Sequence, residues 1–337
     1  MRLAALMIGL IASTWAQSLS AASGAEAYRR GDFAAAALLF EARAALGDAV
    51  AQNNLGVMYL KGKGVDIDYP RAHALFDAAA AQHLPGAMFN LGTLYLRGYG
   101  VPVEPGRAAD WFQRGGALGD VEAQFLLGVM YTRGRGVTAD LKLAKEWFQR
   151  AAVGGLAAAQ FNLAMLYLQD PRPDAGESAA LRWLEAAAAQ GHAQARLHIA
   201  KLDLVHADDA ARVVHAAGIM RELANRGEPE AQLHFGLMNL SGQGLPADPQ
   251  EGRFWLRQSA LQGLAAAQVK LGTVYAEGIG VARDPVQAYA WLSLAAGKDH
   301  ATVTTLAAVA RHLNPEQRAA GEAMVKQLRA QVADVSR

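Results

Sequence analysis

The feature that most constrains this chain is an internal repeat with a period of thirty-six residues. An alanine returns at this interval through most of the sequence, at Ala51, Ala87, Ala123, Ala159, Ala195, Ala231 and Ala267. Gly-x-Gly turns keep the same phase, at Gly62/Gly64, Gly98/Gly100, Gly134/Gly136, Gly242/Gly244 and Gly278/Gly280. A single unit of this length cannot bury its apolar face alone, so neighbouring units must stack into a solenoid.

Each repeat is predicted to form two helices, which makes the chain all-α. Ala51, Leu55 and Met58 lie on one face of the first helix. Gly62 can end that helix, because glycine adopts the left-handed conformation at low cost. The second helix is expected to begin at an aspartate followed by a proline, as at Asp248-Pro249. Recurring Trp and Tyr residues are expected to fill the space between the helix layers.

The pattern closely resembles the Sel-like repeat (SLR) family, a variant of the tetratricopeptide repeat. The residues that carry the resemblance are Ala-x-x-x-Leu-Gly-x-x-Tyr, then Gly-x-Gly-Val, then Asp, Ala and Trp, from about residue 25 to residue 300. The resemblance implies a right-handed superhelix of antiparallel helix pairs with a concave inner groove. It also implies an adaptor, because exported bacterial members serve mostly as envelope scaffolds, restrainers of sensor kinases or ligands for host proteins.

The repeat phase divides the chain into four predicted segments. Residues 1–22 are interpreted as a signal peptide, residues 23–48 as an N-terminal capping helix pair, residues 49–300 as seven repeats, and residues 301–337 as C-terminal capping helices. The first segment begins with Met1-Arg2 and an apolar run from Leu3 to Ala12. Small residues then allow cleavage near Ala16 or Ala22, which predicts a periplasmic or secreted protein. The alternative is that this run forms an N-terminal helix of the mature fold.

Composition narrows the classes of function. The formal net charge is +1 and there are no cysteines. The charge balance argues against a nucleic-acid or polybasic membrane binder. Without cysteine the chain has no disulfide, no Cys-ligated zinc and no thiol nucleophile. The apolar N-terminal run is shorter than the roughly 20 residues that a membrane-spanning helix needs, and no second segment is long and apolar enough.

No catalytic motif is present, and the chain is interpreted as a non-enzyme without a cofactor. It lacks Gly-x-Ser-x-Gly, His-Glu-x-x-His and a phosphate-binding Gly loop followed by Lys-Ser/Thr. The leading hypothesis is an exported scaffold or regulator that binds a protein or peptide segment. A glycan- or peptidoglycan-binding solenoid is the alternative, which exposed aromatic platforms would support. An envelope hydrolase is the third hypothesis.

Candidate binding residues lie on the predicted inner face. The resemblance points to the column just before the repeating Leu, which consists of Asn54, Asn90, Leu126, Asn162, His198, His234 and Lys270. Lys61, Arg97, Arg133 and Gln169 form a second column along the same stripe. The predicted site is Asn54, Asn90, Arg97, Arg133, Asn162, His198, His234 and Lys270. In peptide-binding relatives such residues hold peptide backbone or carboxylate groups; the alternative is that they only solvate this face.

Two further features leave alternatives open. His198 and His234 are one repeat apart and could begin a zinc site with Asp203 or Glu230, but zinc normally needs three or four ligands, and no metal is predicted. The units at 157–228 lack the Gly-x-Gly turn, and Ile219 stands where Trp is expected. This irregular stretch is either drift in tolerant loops or a functional surface.

Overall fold

The computed structural model describes residues 21–169, 173–297 and 300–335. Within these ranges the chain forms eighteen α-helices and no β-strand, which confirms the predicted all-α class. The helices belong to two compact units, and the boundary along the chain lies between Ala187 and Ala188. The predicted signal peptide falls almost entirely on residues 1–20, outside the described part, and the four predicted segment boundaries remain predictions.

The first unit consists of successive antiparallel helix pairs. Its helices are α1 (Ala21–Arg29), α2 (Phe33–Ala45), α3 (Ala49–Lys61), α4 (Tyr69–Ala81), α5 (Pro85–Arg97), α6 (Pro105–Ala117), α7 (Val121–Arg133), α8 (Leu141–Val153), α9 (Ala157–Leu168) and most of α10 (Pro173–Ala189). Each helix from α1 to α8 packs against the next in sequence, as a solenoid requires.

The second unit continues the alternation from the end of α10. Its helices are α11 (Ala193–Val205), α12 (Ala210–Asn225), α13 (Pro229–Ser241), α14 (Pro249–Leu261), α15 (Ala265–Glu277), α16 (Pro285–Ala295), α17 (His300–Arg311) and α18 (Pro315–Val335). The last helix packs against α16. Asn314 and Gln317 begin it with a reciprocal capping box, in which each backbone N–H donates to the other side chain at 3.0 and 2.8 Å.

Local sequence signals set the helix ends as predicted. Asp248 accepts hydrogen bonds from the backbone N–H groups at the start of α14, and Pro249 is the first helical residue. Gly62 ends α3 in the left-handed conformation, with φ +62°. Small residues also permit close packing: a Cβ on Gly56 would lie 2.7 Å from the ring of Phe76, so this glycine lets the ring pack against the backbone of α3.

The second glycine of the Gly-x-Gly turn has a different function from the first. A Cβ on Gly136 would lie 2.4 Å from the backbone carbonyl of Pro105, at the start of α6, and φ at Gly136 is +77°. A Cβ on Gly64 would likewise lie 2.3 Å from the carbonyl oxygen of Phe33. The turn therefore joins successive repeats, because it rests on the first residues of the preceding second helix.

A column of buried glutamines, interrupted at Met88 and Arg196, also ties five of the seven repeats to the one before. The side-chain amide of Gln124 donates to the carbonyl oxygen of Gly116 at 2.8 Å. Equivalent bonds run eight residues back along the chain from Gln52, Gln160, Gln232 and Gln268. Each amide adds a second hydrogen bond to a carbonyl at a helix end, which also accepts from the backbone N–H of a glycine three residues later.

The irregular stretch keeps its helices even where the sequence signature weakens. Residues 193–205 and 210–225 form the pair α11 and α12 without a Gly-x-Gly turn. Ile219 takes the place of Trp and remains buried. Asp203, at the position of the repeating Tyr, is also buried, and its carboxylate accepts hydrogen bonds from Arg212 at 2.9 Å and His215 at 2.7 Å. An ionic contact thus replaces an aromatic one in this repeat.

Candidate functional site

The predicted site residues lie on the first helices of the repeats, a surface that we call the first-helix face. In the first unit this face is the surface of α3, α5, α7 and α9 that carries Asn54, Asn90, Leu126 and Asn162. Arg97 and Arg133 are exposed, whereas the three asparagines are half-buried. In the second unit, His198 and His234 are half-buried and Lys270 is exposed. No observation tests whether these residues bind a partner, so that assignment remains a prediction.

The three asparagines have different surroundings. The side-chain amide of Asn90 donates to the side-chain oxygen of Asn53 at 2.8 Å. Asn162 instead donates to the carbonyl of Ala158 in its own helix at 2.7 Å. Asn54 lines a cavity of about 380 Å³, whose wall also includes Val57 and Lys61. The column is therefore not uniform, because its asparagine amides differ in the contacts that they already make.

Arg97 and Arg133 come together at a second cavity on this face. The cavity has a volume of about 310 Å³ and is lined by Leu96, Arg97, Leu126, Val129, Met130, Arg133 and Arg135. Arg135 follows the end of α7, and its guanidinium donates to the carbonyl of Leu96 at 3.4 Å. Arg135 was not among the predicted site residues; its position in the turn after the first helix was the signal that could have found it.

His198 and His234 belong to a charged cluster in the second unit. Lys201 of α11 donates a hydrogen bond to Glu230 of α13, and this bond lowers the pKa of the Glu230 carboxyl. Burial lowers the pKa of both His198 and His234, and the Lys201 ammonium lowers them further. Both imidazoles are therefore held neutral near pH 7.

This cluster does not have the composition of a zinc site. Lys201 already bonds Glu230, and the Asp203 carboxylate bonds Arg212 and His215 instead of joining the two histidines. Across the described ranges, no group of three or more His, Cys, Asp or Glu side chains is arranged to hold a metal ion.

The second helices carry a cavity of their own, which bears on glycan binding. It has a volume of about 690 Å³, and its lining includes Asp77, His83, Met88, Trp111 and Arg114. The guanidinium of Arg114 lies 4.9 Å from the centre of the half-buried Trp111 ring and covers one of its two faces. His83 has φ +61°, at a position where the other repeats have glycine. Trp111 therefore offers a sugar one ring face at most.

The repeated helix pairs and buried glutamine ties define this chain as an all-α repeat solenoid, a scaffold architecture. Six segments match the Sel1 repeat family, at residues 49–84, 85–120, 121–155, 157–192, 229–264 and 265–300, and the chain belongs to that family. Sel1 repeats are protein-interaction modules, and the family is generally a non-catalytic scaffold fold. The pair α11 and α12 lies in the gap between matched segments, although its helices are formed.

A solved structure has the same fold. The chain is similar to a protective antigen from uropathogenic Escherichia coli strains that displays an SLR fold, with 28% identity, a TM-score of 0.59, and coverage of 90% of this chain and 73% of that one. It is also similar to a Sel1 repeat protein from Oxalobacter formigenes, with 24% identity, a TM-score of 0.49, and coverage of 83% and 98%. No curated protein matches this sequence. None of the helices in the described ranges is long and apolar enough to cross a membrane.

Proposed function

We propose that this chain is an exported scaffold or regulator that binds a protein partner along the first-helix face. The observation that carries the proposal is a pair of cavities at equivalent positions of that face in the first unit. Asn54, Val57 and Lys61 line one cavity, and the residues seventy-two positions later, Leu126, Val129 and Arg133, line the other. A surface that repeats its recesses suits an extended polypeptide segment.

The same face offers hydrogen-bonding groups for a main chain. Asparagine both donates and accepts, and Asn54, Asn90 and Asn162 occupy three of the four positions of this column in the first unit. The buried aromatic and alanine core fixes the helices that carry them. Export is the second part of the proposal, supported by the charged start, short apolar run and small residues of the first 22 positions.

Partner capture with matched variants tests the proposal. The segment 23–337 is used as bait in a cross-linked periplasmic extract, and captured proteins are identified by mass spectrometry. We expect one dominant protein that is lost with the variant Asn54→Ala/Asn90→Ala/Asn162→Ala. The control Gln113→Ala/Gln149→Ala removes exposed amides from second helices of the same unit and should keep the partner.

Two results would contradict the proposal. Retention of the partner by the folded triple asparagine variant would remove the first-helix face as the binding surface. Recovery of glycan fragments without a specific protein would favour the glycan- or peptidoglycan-binding alternative.

A further inference from the structure

The first-helix face of the first unit carries cations without matching acids. Lys61, Arg97 and Arg133 occupy the same repeat position, in the last turns of α3, α5 and α7. The helices α3, α5 and α9 contain no Asp or Glu, and α7 contains only Glu122, in its first turn. The row of first helices is therefore positively charged in this unit, although the whole chain has a net charge of only +1.

A helix-capping function does not account for this column. A cation in the last turn does interact favourably with the helix dipole. The column nevertheless continues as Gln169, Val205, Ser241 and Glu277, so later repeats form the same helix without a cation, and one ends with an anion. The dipole also gives no reason for Arg135, which lies beyond the end of α7. The cations are a property of this surface in the first unit.

Three of these cations surround one apolar recess. Arg97, Arg133 and Arg135 line the cavity of about 310 Å³, together with Leu126, Val129 and the buried Met130. In the described ranges, no carboxylate lies within ion-pair distance of any of the three guanidiniums. Like charges held around one recess repel each other, and an incoming anion would relieve that repulsion.

The composition of the recess selects the chemistry of its ligand. Guanidinium groups form paired hydrogen bonds with carboxylates, and these bonds strengthen where water is excluded. The apolar wall requires an aliphatic or aromatic group beside the anion. The equivalent cavity two repeats earlier combines Arg29 and Lys61 with Tyr28, Phe40 and Val57, so the same pairing of cation and apolar wall recurs.

We propose that the cavity formed by Arg97, Arg133 and Arg135 binds an acidic segment of a protein partner, with a carboxylate among the guanidiniums and a neighbouring apolar side chain against Leu126, Val129 and Met130. This inference rests on the proposed function and specifies the partner chemistry for the first unit. The cavity around Arg29 and Lys61 is a second anchor for the same segment.

Peptide binding tests the inference directly. An array of short peptides combines Glu or Asp with Leu, Val or Phe at varied spacing, and each peptide has a twin in which Gln or Asn replaces the acid. Fluorescein-labelled hits are titrated by fluorescence anisotropy. We expect acidic peptides to bind at least about tenfold more tightly than their amide twins, and affinity to fall as salt is raised.

Matched variants locate the binding. Arg97→Gln/Arg133→Gln/Arg135→Gln should weaken the acidic peptides at least about tenfold. The control Arg107→Gln/Arg114→Gln/Arg150→Gln removes the same charge from α6 and α8, where these arginines lie over aromatic rings, and should bind like the wild-type chain. Circular dichroism and thermal unfolding establish that both variants are folded.

The inference is overturned if no acidic peptide binds better than its amide twin, or if the two triple variants bind equally. It is also overturned if single-stranded oligonucleotides or phosphatidylglycerol vesicles bind the same arginines as tightly as the peptides. If the variant Arg97→Gln/Arg133→Gln/Arg135→Gln still holds a captured protein partner with unchanged affinity, the inference fails while the proposed function stands. If acidic peptides bind but no partner is captured, the proposed function fails while the cavity assignment stands.

Discussion

At the scale of single residues, the polar positions of the repeat have two different functions. Gln52, Gln124, Gln160, Gln232 and Gln268 are buried and bond the end of the preceding helix. Two residues later in the repeat, Asn54, Asn162 and His234 are only half-buried and face outward. Both columns have the same period, so the period cannot separate them. The glutamines bond a carbonyl of the preceding helix and are structural, whereas the residues of the second column lie at the surface and make local contacts, as Asn162 does with Ala158 of its own helix.

The half-buried histidines of the second unit should make the stability of the fold depend on pH. Burial lowers the pKa of His192, His198 and His234 below the usual value of about 6.5. Below that pH the unfolded chain binds more protons than the folded chain, so stability falls as pH is lowered. The loss ends once the pH is below the folded pKa values. Thermal unfolding between about pH 7 and pH 5 should show this decrease.

A double variant isolates the contribution of the cluster. His198→Asn/His234→Asn introduces the residue found at the same position in other repeats, and it should flatten the dependence of the unfolding temperature on pH. The exposed His312→Asn is the control and should leave the slope unchanged. An unchanged slope in the double variant would show that these two histidines do not titrate on unfolding in this range.

At the scale of the helix pair, the Gly-x-Gly turn both ends a helix and joins two repeats. Its first glycine supplies the left-handed residue at the helix end, as Gly134 does for α7 with φ +65°. Its second glycine lies against the preceding repeat. Where the turn is lost, at α11 and α12, the pair still forms, and Asp209 begins the second helix by accepting from two backbone N–H groups. Helix formation therefore does not depend on the glycines.

Two glycine substitutions separate backbone conformation from close approach. Gly119→Ala tests conformation alone, because φ is +95° and a Cβ would meet nothing within 4 Å. We expect a loss of about 1–2 kcal/mol in the free energy of unfolding. Gly136→Ala adds a collision, because its Cβ would lie 2.4 Å from the backbone of Pro105. This collision should lower the free energy of unfolding by a further ~1–3 kcal/mol. Urea unfolding of both variants gives the difference; equal losses would mean that the inter-repeat contact relaxes freely.

At the scale of the whole chain, export predicts a shortened mature protein. When the full chain is produced in a Gram-negative host, we expect signal peptidase to remove the first 16 or 22 residues, leaving Gln17 or Ser23 at the N-terminus. Intact mass and N-terminal sequencing of the protein from the periplasmic fraction measure this. Replacing Ala16 and Ala22 with Lys should block processing. A cytoplasmic, unprocessed wild-type protein would contradict the proposed export.

Much of the fold followed from the sequence, because the signals that specify it are local. The thirty-six-residue period, the aspartate caps and the left-handed glycines act within one helix or one turn, so they predict helix pairs and their ends directly. The resemblance to the SLR family pointed to the candidate column, and the predicted helix pairs assigned that column to the first helices. The position of Arg135 beside Arg97 and Arg133 was not predicted, because these residues come from different elements and their side chains converge only after α5 and α7 pack.

The tertiary structure decided the functions of repeat positions that the period alone leaves equivalent. A repeat assigns Gln52 and Asn54, or the two glycines of a turn, to fixed positions without saying which atoms they meet. Contacts with the preceding repeat give Gln124 its carbonyl and Gly136 its close backbone approach. They also turn three arginines into the lining of one cavity and place Lys201 against Glu230 beside two histidines. Sequence fixes the helix and its ends through neighbouring residues, whereas a site depends on distances between residues far apart in the chain.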